Sequence, residues 1–168
     1  NDNKTEPTYP NFTTIWITTK NQGGYWQLSP YYLKDKNNRI MENIWQFSKI
    51  YQQVPKSTQY VSRWNRKIIW DHPAEIHLNS DGTPNTTYYQ WRKKGMAAEN
   101  PIRYPVGYHH RSKALAAFDD QMRGPYNYID ARKNIYLPTY ISLVKLEPLF
   151  INLKERLARG ENLLLVDV

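Results

Sequence analysis

Cysteine is absent from all 168 residues. That excludes disulfide stapling, thiolate nucleophiles and every metal site built on thiolates, and it fits a reducing cytoplasm. No apolar run approaches the roughly 20 residues needed to span a bilayer, and the first residues are polar, unlike a signal peptide. No run of Lys and Arg is long enough to be a localisation signal or a polycationic tail. Internal repeats and low-complexity tracts are missing too. The expectation is a cytoplasmic chain that does not enter a membrane.

What is present is aromatic and basic. The chain carries 14 Tyr and 6 Trp, with 23 basic against 15 acidic side chains for a formal charge of +8. A surplus of positive charge attracts nucleotides, nucleic acid or anionic surfaces, and without a basic run the fold itself must assemble it. Tyr and Trp suit clefts that stack planar ligands, and they serve equally as core filler.

The length is that of one domain. Residues 1–10 read as a loose leader with two prolines, and 11–168 as a single α+β domain, a mixed sheet with helices packed on it. Phe12 to Thr18 is β-branched and aromatic, as in a strand, and Gly23-Gly24 marks a turn. Met41, Ile44, Trp45, Ser48 and Tyr51 recur at helical spacing, predicting a helix from Glu42 to about Gln53 that Pro55 ends. Arg63 to Leu78 reads as two short strands, Asp81-Gly82-Thr83-Pro84 as a turn, and Tyr88 to Lys94 as a helix with Gly95 as its C-cap. A short helix is expected after Ser112. Asp130 can cap a helix from Ala131, and Pro138 and Pro148 can each start another. In the last of these Leu149, Phe150, Leu153 and Leu157 form an apolar stripe, and Gly160 closes it. Leu163 to Val168 is apolar enough for a buried strand, and the expectation is that the natural protein continues past it.

Three clusters carry possible chemistry. In the first, Glu42 opens a helix on which Gln46 and Lys49 would share its face, behind Trp26, Tyr31 and Tyr32. A carboxylate there is favoured as an anion by the helix dipole and could sit beside a developing cation; it could equally be an ordinary first-turn glutamate. The second, Asp71-His72-Pro73-Ala74-Glu75-Ile76-His77, places Glu75 and His77 on one strand face. It lacks any recognised zinc spacing, so a polar strand edge or a ligand-contacting strand competes with a metal site. The third, Arg103, Tyr104, Tyr108, His109, His110 and Arg111 in a Pro/Gly loop, could fork a phosphate with Arg and stack a base on Tyr, or be a solvated basic loop.

The first cluster resembles a known signature. Leu28-Ser29-Pro30-Tyr31-Tyr32, followed by Glu42-Asn43-Ile44-Trp45-Gln46-Phe47-Ser48-Lys49, is similar to the NADAR family's turn and its glutamate-led helix. Asp130 to Val166 is similar to the family's closing helices and strand. Asn43 stands where the family has His, residues 59–128 have no matching counterpart, and the family's late Asp and Trp-Gly motif would fall beyond Val168. The resemblance implies a NADAR-like fold and an N-glycosidase that needs no cofactor and hydrolyses a ribose–nitrogen bond. The family's substrates are ribosylamino-pyrimidines of riboflavin synthesis and ADP-ribose attached to guanine. On it Glu42 becomes the catalytic carboxylate, with Gln46 and Lys49 at matching positions; the residues themselves add Trp26, Tyr31 and Trp45 as pocket walls, and Arg103 and Arg111, from the third cluster, as phosphate holders beside Lys49. The expected partner is a nucleotide, an ADP-ribosylated base or nucleic acid. The competing expectation is a non-catalytic nucleotide or nucleic-acid-binding domain using the same basic aromatic surface.

Overall fold

The computed structural model describes residues 8–17, 24–60 and 68–167. The expectations that fall on Thr18, Gly23, residues 1–7, residues 63–67 and Val168 lie outside them. The fold class is α+β, with short helices and small parallel and antiparallel strand pairs. No helix among the described residues is long and apolar enough to cross a membrane. Contacts within the chain gather into two units, one made of the chain up to Leu33 together with residues from Ile141 onward, the other running from Lys34 to Tyr140.

In the first unit, β1 (Thr13–Trp16) pairs in parallel with β8 (Leu163–Val166), Thr13 opposite Leu163. The strand expected to be buried is therefore half of a two-stranded ribbon among the described residues. Val166 is buried, but Leu165 remains 57% exposed, because pleating turns alternate residues to opposite faces and only one face here is covered. A 3₁₀ turn, Trp26–Leu28, is tied to α5 (Pro148–Ala158): the Tyr25 hydroxyl donates to Asn152 Oδ1 at 2.9 Å and accepts from Arg156 Nη1 at 2.9 Å. Pro148 starts α5, as expected. Gly160 ends it with φ of 90°, its N–H bonding Leu157 O while the next N–H, of Glu161, bonds Arg156 O. That pair of bonds is the Schellman arrangement, which requires a left-handed residue at this place. Of the expected stripe, Leu153 is buried and Leu157 exposed.

The second unit is built on an aromatic core. Phe47, Tyr51, Trp70, Tyr88 and Trp91 pack with Ile50, Val54, Met96, Ile102 and Val106. The first helix, α1, spans only Met41–Gln46, shorter than its apolar spacing predicts. Phe47 caps it, the Ser48 hydroxyl donates to Trp45 O at 2.7 Å, and the chain leaves as β2 (Lys49–Ile50) to pair with β7 (Ala116–Ala117). Tertiary pairing has overridden the periodicity, since Ile50 and Tyr51 gain more by covering the core from a strand than by extending a helix. β3 (Gln53–Val54) pairs with β6 (Glu75–Ile76), and β4 (Ser57–Tyr60) with β5 (Ile68–His72), all antiparallel.

The turn at Asp81–Pro84 is present, with Gly82 at φ of 82°. It leads to α2 (Thr86–Met96), capped by Asn85 Oδ1 accepting from Tyr88 N at 3.0 Å. Gly95 is not the cap but an interior residue of this helix. A Cβ at that position would collide with the Phe47 ring, so the glycine permits the helix to lie directly on the core. The expected helix after Ser112 is a 3₁₀ helix, Tyr108–Lys113, with Ser112 inside it. Near the end of the unit Asn127, not Asp130, caps α3 (Tyr128–Ala131), accepting from Asp130 N at 2.8 Å. A π-helical turn, Arg132–Tyr136, continues into α4 (Leu137–Val144). Pro138 does not begin a helix; lacking an N–H, it cannot close an α-type bond to Asn134, and the widened turn lies just ahead of it.

Candidate functional site

The short α1 sets the geometry of the first cluster. Glu42 and Gln46 are one turn apart, and Gln46 Nε2 donates to Glu42 Oε1 at 2.9 Å. Lys49 is not on their helix face, since the chain has already turned into β2. Its Nζ nonetheless returns to donate to Gln46 Oε1 at 3.2 Å. The expected trio is thus assembled, by a backbone path that the helical spacing did not describe.

Glu42 is buried, with only 7% of its surface exposed. Burial is the largest influence on its carboxyl and pushes the pKa up; the Gln46 hydrogen bond and the charges of Lys49, Arg103 and Arg132 pull it down, and the net direction is up. The expectation that its position holds it as a comfortable anion is corrected: the cost of desolvation exceeds what its neighbours return. Lys49 is shifted down from the ordinary lysine value, first by burial, against the opposing pull of Glu42. The two groups are joined through one amide, that of Gln46.

Beside them lies a cavity of about 370 Å³ walled by Trp45, Lys49, Tyr126, Tyr128, Arg111 and Ser112, with alanines 114, 116, 117 and 131 leaving it open. Trp45 is both wall and core: it packs with Ala117, Ala131 and Ile135 and meets Tyr128 and Tyr136 edge-on, with centroids 6.2 and 5.2 Å away. Two cations approach its ring, Lys49 Nζ at 5.1 Å and Arg132 Cζ at 5.7 Å. Arg132 also lies 3.9 Å from the Tyr136 ring centre. Glu42 is not a wall residue; Lys49, two hydrogen bonds away, is.

The Arg103–Arg111 segment divides. Arg103 is exposed and acts on Glu42 through its charge. Arg111 reaches the cavity, stacks 3.6 Å over Tyr108 and donates to Tyr108 O at 2.7 Å. Tyr104 lies under Arg103 and meets Tyr108 edge-on, and His109 meets Tyr108 in the same way. His110 faces a different cavity, with Glu75 and Lys113. Trp26 and Tyr31 belong to the first unit, whereas the walls of the 370 Å³ cavity all come from the second. Trp26 packs edge-on to Tyr32 at 4.7 Å, and the Tyr31 N–H donates to Ser29 Oγ at 3.2 Å within the turn.

The Asp71–His77 cluster forms hydrogen bonds within itself. His77 Nε2 lies 2.8 Å and His72 Nε2 3.5 Å from Glu75 Oε1. Asp71 instead accepts from Thr58 at 3.4 Å and, through its backbone oxygen, from Lys94 at 3.1 Å. Among the described residues no three His, Asp or Glu side chains are arranged to hold a metal ion.

Arg132, Tyr126 and Tyr128 escaped the sequence reading because they sit 84 to 90 residues from Glu42, and the β2–β7 pairing together with the Ala117–Tyr126 bridge brings them close. Asn43 was noticed only as a departure. It is fully buried, donates to Ala98 O at 3.3 Å and Asn100 O at 2.9 Å, and accepts Ile102 N–H at 2.7 Å, pinning the irregular segment that leads to Arg103. Searches against protein-family models, curated proteins and solved structures find no match for this chain.

Proposed function

We propose that this chain is an N-glycosidase that hydrolyses the ribose–nitrogen bond of a ribosylated or ADP-ribosylated base, including one carried in nucleic acid. The observation that carries this reading is a buried carboxylate, Glu42, linked through Gln46 to a cation on the wall of an aromatic cavity. The resemblance to the NADAR signature points the same way. Hydrolysis breaks the C1′–N bond, and the bonding electrons leave with the base nitrogen, which takes up a proton. The ribosyl carbon becomes cationic, water adds to it, and the water's proton is lost to a base. A carboxylate raised in pKa by burial is a stronger base for that proton, and its charge gains most as the cation develops. Trp45 and Tyr128 would flank the base, while Lys49, Arg103 and Arg111 would hold phosphate. Such substrates belong to the cytoplasm, where we place the reaction.

The second reading, a non-catalytic nucleotide or nucleic-acid-binding domain, is favoured by one fact: Glu42 is not itself a wall of the cavity. Incubation with ribosylamino-pyrimidine and ADP-ribosyl-guanine substrates, followed by chromatography for free base, separates the two. Release of free base supports the enzyme; nucleotide binding without release supports the binding domain.

A further inference from the structure

The 3₁₀ helix Tyr108–Lys113 has a cavity on each side. Arg111 and Ser112 wall the one described above. His110 and Lys113 wall another, of about 380 Å³, together with Gln53, Pro55, Ala74 and Glu75. A 3₁₀ helix has three residues per turn, so residues three apart stand on one ridge. Tyr108 and Arg111 share a ridge, and their 3.6 Å stack confirms it. His110 and Lys113 share the next. Different ridges of one short helix therefore serve separate cavities, with the exposed Tyr108 ring stacked against Arg111.

The second cavity holds one acid among bases, and the acid is fixed. His72 Nδ1 lies 2.9 Å from Pro73 O, a carbonyl that only accepts, so Nδ1 carries a hydrogen. His77 Nε2, at 2.8 Å, is then the donor to Glu75 Oε1. One Glu75 oxygen is thus committed to His77, on a side chain that is 18% exposed and forms part of the cavity wall.

We propose that this second cavity takes the nucleotide flanking the one in the first, so that the ligand is single-stranded nucleic acid crossing the Tyr108–Lys113 helix. Lys113 and His110 meet the backbone phosphate, the Arg111–Tyr108 stack stands at the crossing, and Glu75 accepts from an exocyclic amino group of the flanking base. The proposal rests on the reading of the first cavity as a nucleotide site. A carboxylate beside Lys113 and His110 suits a nucleotide better than a wholly anionic partner such as an acidic peptide, which would meet Glu75 with like charge. Cytosine presents an amino group where thymine presents a carbonyl, so a cytosine flank is preferred.

The test is fluorescence anisotropy with labelled mononucleotides and with two- to four-residue single strands, in deoxy and ribo forms. The wild type should bind the longer strands at least tenfold more tightly than the mononucleotide in one of the two backbones, and a cytosine flank more tightly than thymine. Lys113→Glu should collapse the length advantage. Lys113→Met should reduce the dependence of log affinity on log salt by about 0.7. In Glu75→Gln the His77 N–H claims the amide oxygen, leaving the NH₂ to face the ligand, so the preference should turn toward thymine. Circular dichroism melting establishes that each variant is folded. A wild type that binds mononucleotides with no length advantage overturns this inference and leaves the first cavity's reading standing. Failure to bind mononucleotides and oligonucleotides alike overturns both, and tighter binding of an acidic peptide than of any strand overturns the choice of partner.

Discussion

The side-chain amide of Gln46 is held in one orientation by Lys49, whose ammonium donates to Oε1 at 3.2 Å and so turns Nε2 toward Glu42. The amide therefore favours the charged form of Glu42, against the burial that disfavours it. If Glu42 works as a carboxylate, activity is lost on the acid side as that group takes up a proton. Removing the donor raises its pKa further, so in Gln46→Leu the acid limb of kcat/KM should move to higher pH. An unmoved limb would show that the limb belongs to another group.

Asn43 satisfies three backbone groups at once, and Asn43→Ala leaves them without that partner. A buried polar group stranded in this way costs about 1–3 kcal/mol. Urea denaturation of Asn43→Ala should show a loss of about 2–4 kcal/mol, with weaker nucleotide binding as the Arg103 segment loosens. A loss below about 0.5 kcal/mol, the scale of ordinary surface changes, would contradict the clamp.

Gly95 gives a packing test at Phe47, the residue that caps α1. Its missing Cβ is the space occupied by Phe47. Alanine normally improves a helix interior by about 1 kcal/mol over glycine. Here overpacking should win, and Gly95→Ala should lower stability by about 1–3 kcal/mol. Stabilisation would mean that the helix does not press on Phe47.

These cases mark what the sequence could and could not reveal. Signals confined to a few residues survive in the structure: the turn at Asp81–Pro84, Pro148 opening α5 and Gly160 closing it. The adjacency of Glu75 and His77 survives too, as the hydrogen bond between them, although the strand ends at Ile76. The α1 helix was overestimated because Phe47, Ile50 and Tyr51 face the core from a strand as readily as from a helix. Gly95 looked like a cap since sequence cannot distinguish a glycine needed for φ from one needed for space. Arg132 and Tyr128 were invisible because long-range pairing places them beside Trp45. The neighbourhood of Glu42 and Lys49 was legible in the spacing of Glu42, Gln46 and Lys49, although its backbone route was not.

His77 supplies a pH test of stability. It is fully buried, its Nδ1 has no partner among the described residues, and burial lowers its pKa from the ordinary 6.5 despite the pull of Glu75. The unfolded chain then binds a proton more readily than the fold does, so this group's contribution is complete above about pH 6.5 and diminishes as pH falls toward the depressed folded value. Melting temperature should decline through that window in the wild type and less steeply in His77→Gln. Equal slopes would mean that His77 is not the group responsible.

The central claim is that the charge of Glu42 acts in the chemical step. Glu42→Gln keeps the shape and a hydrogen-bonding partner for Gln46 but removes the charge, so ground-state affinity should change little while the rate falls. Loss of a placed electrostatic stabiliser costs about 3–4 kcal/mol, or about two to three orders of magnitude in rate. Single-turnover release of free base from an ADP-ribosylated or ribosylamino substrate, measured beside substrate affinity for wild type and Glu42→Gln, is the most direct test. The account predicts a rate at least a hundredfold lower with affinity within about threefold; release by the variant at the wild-type rate would contradict it.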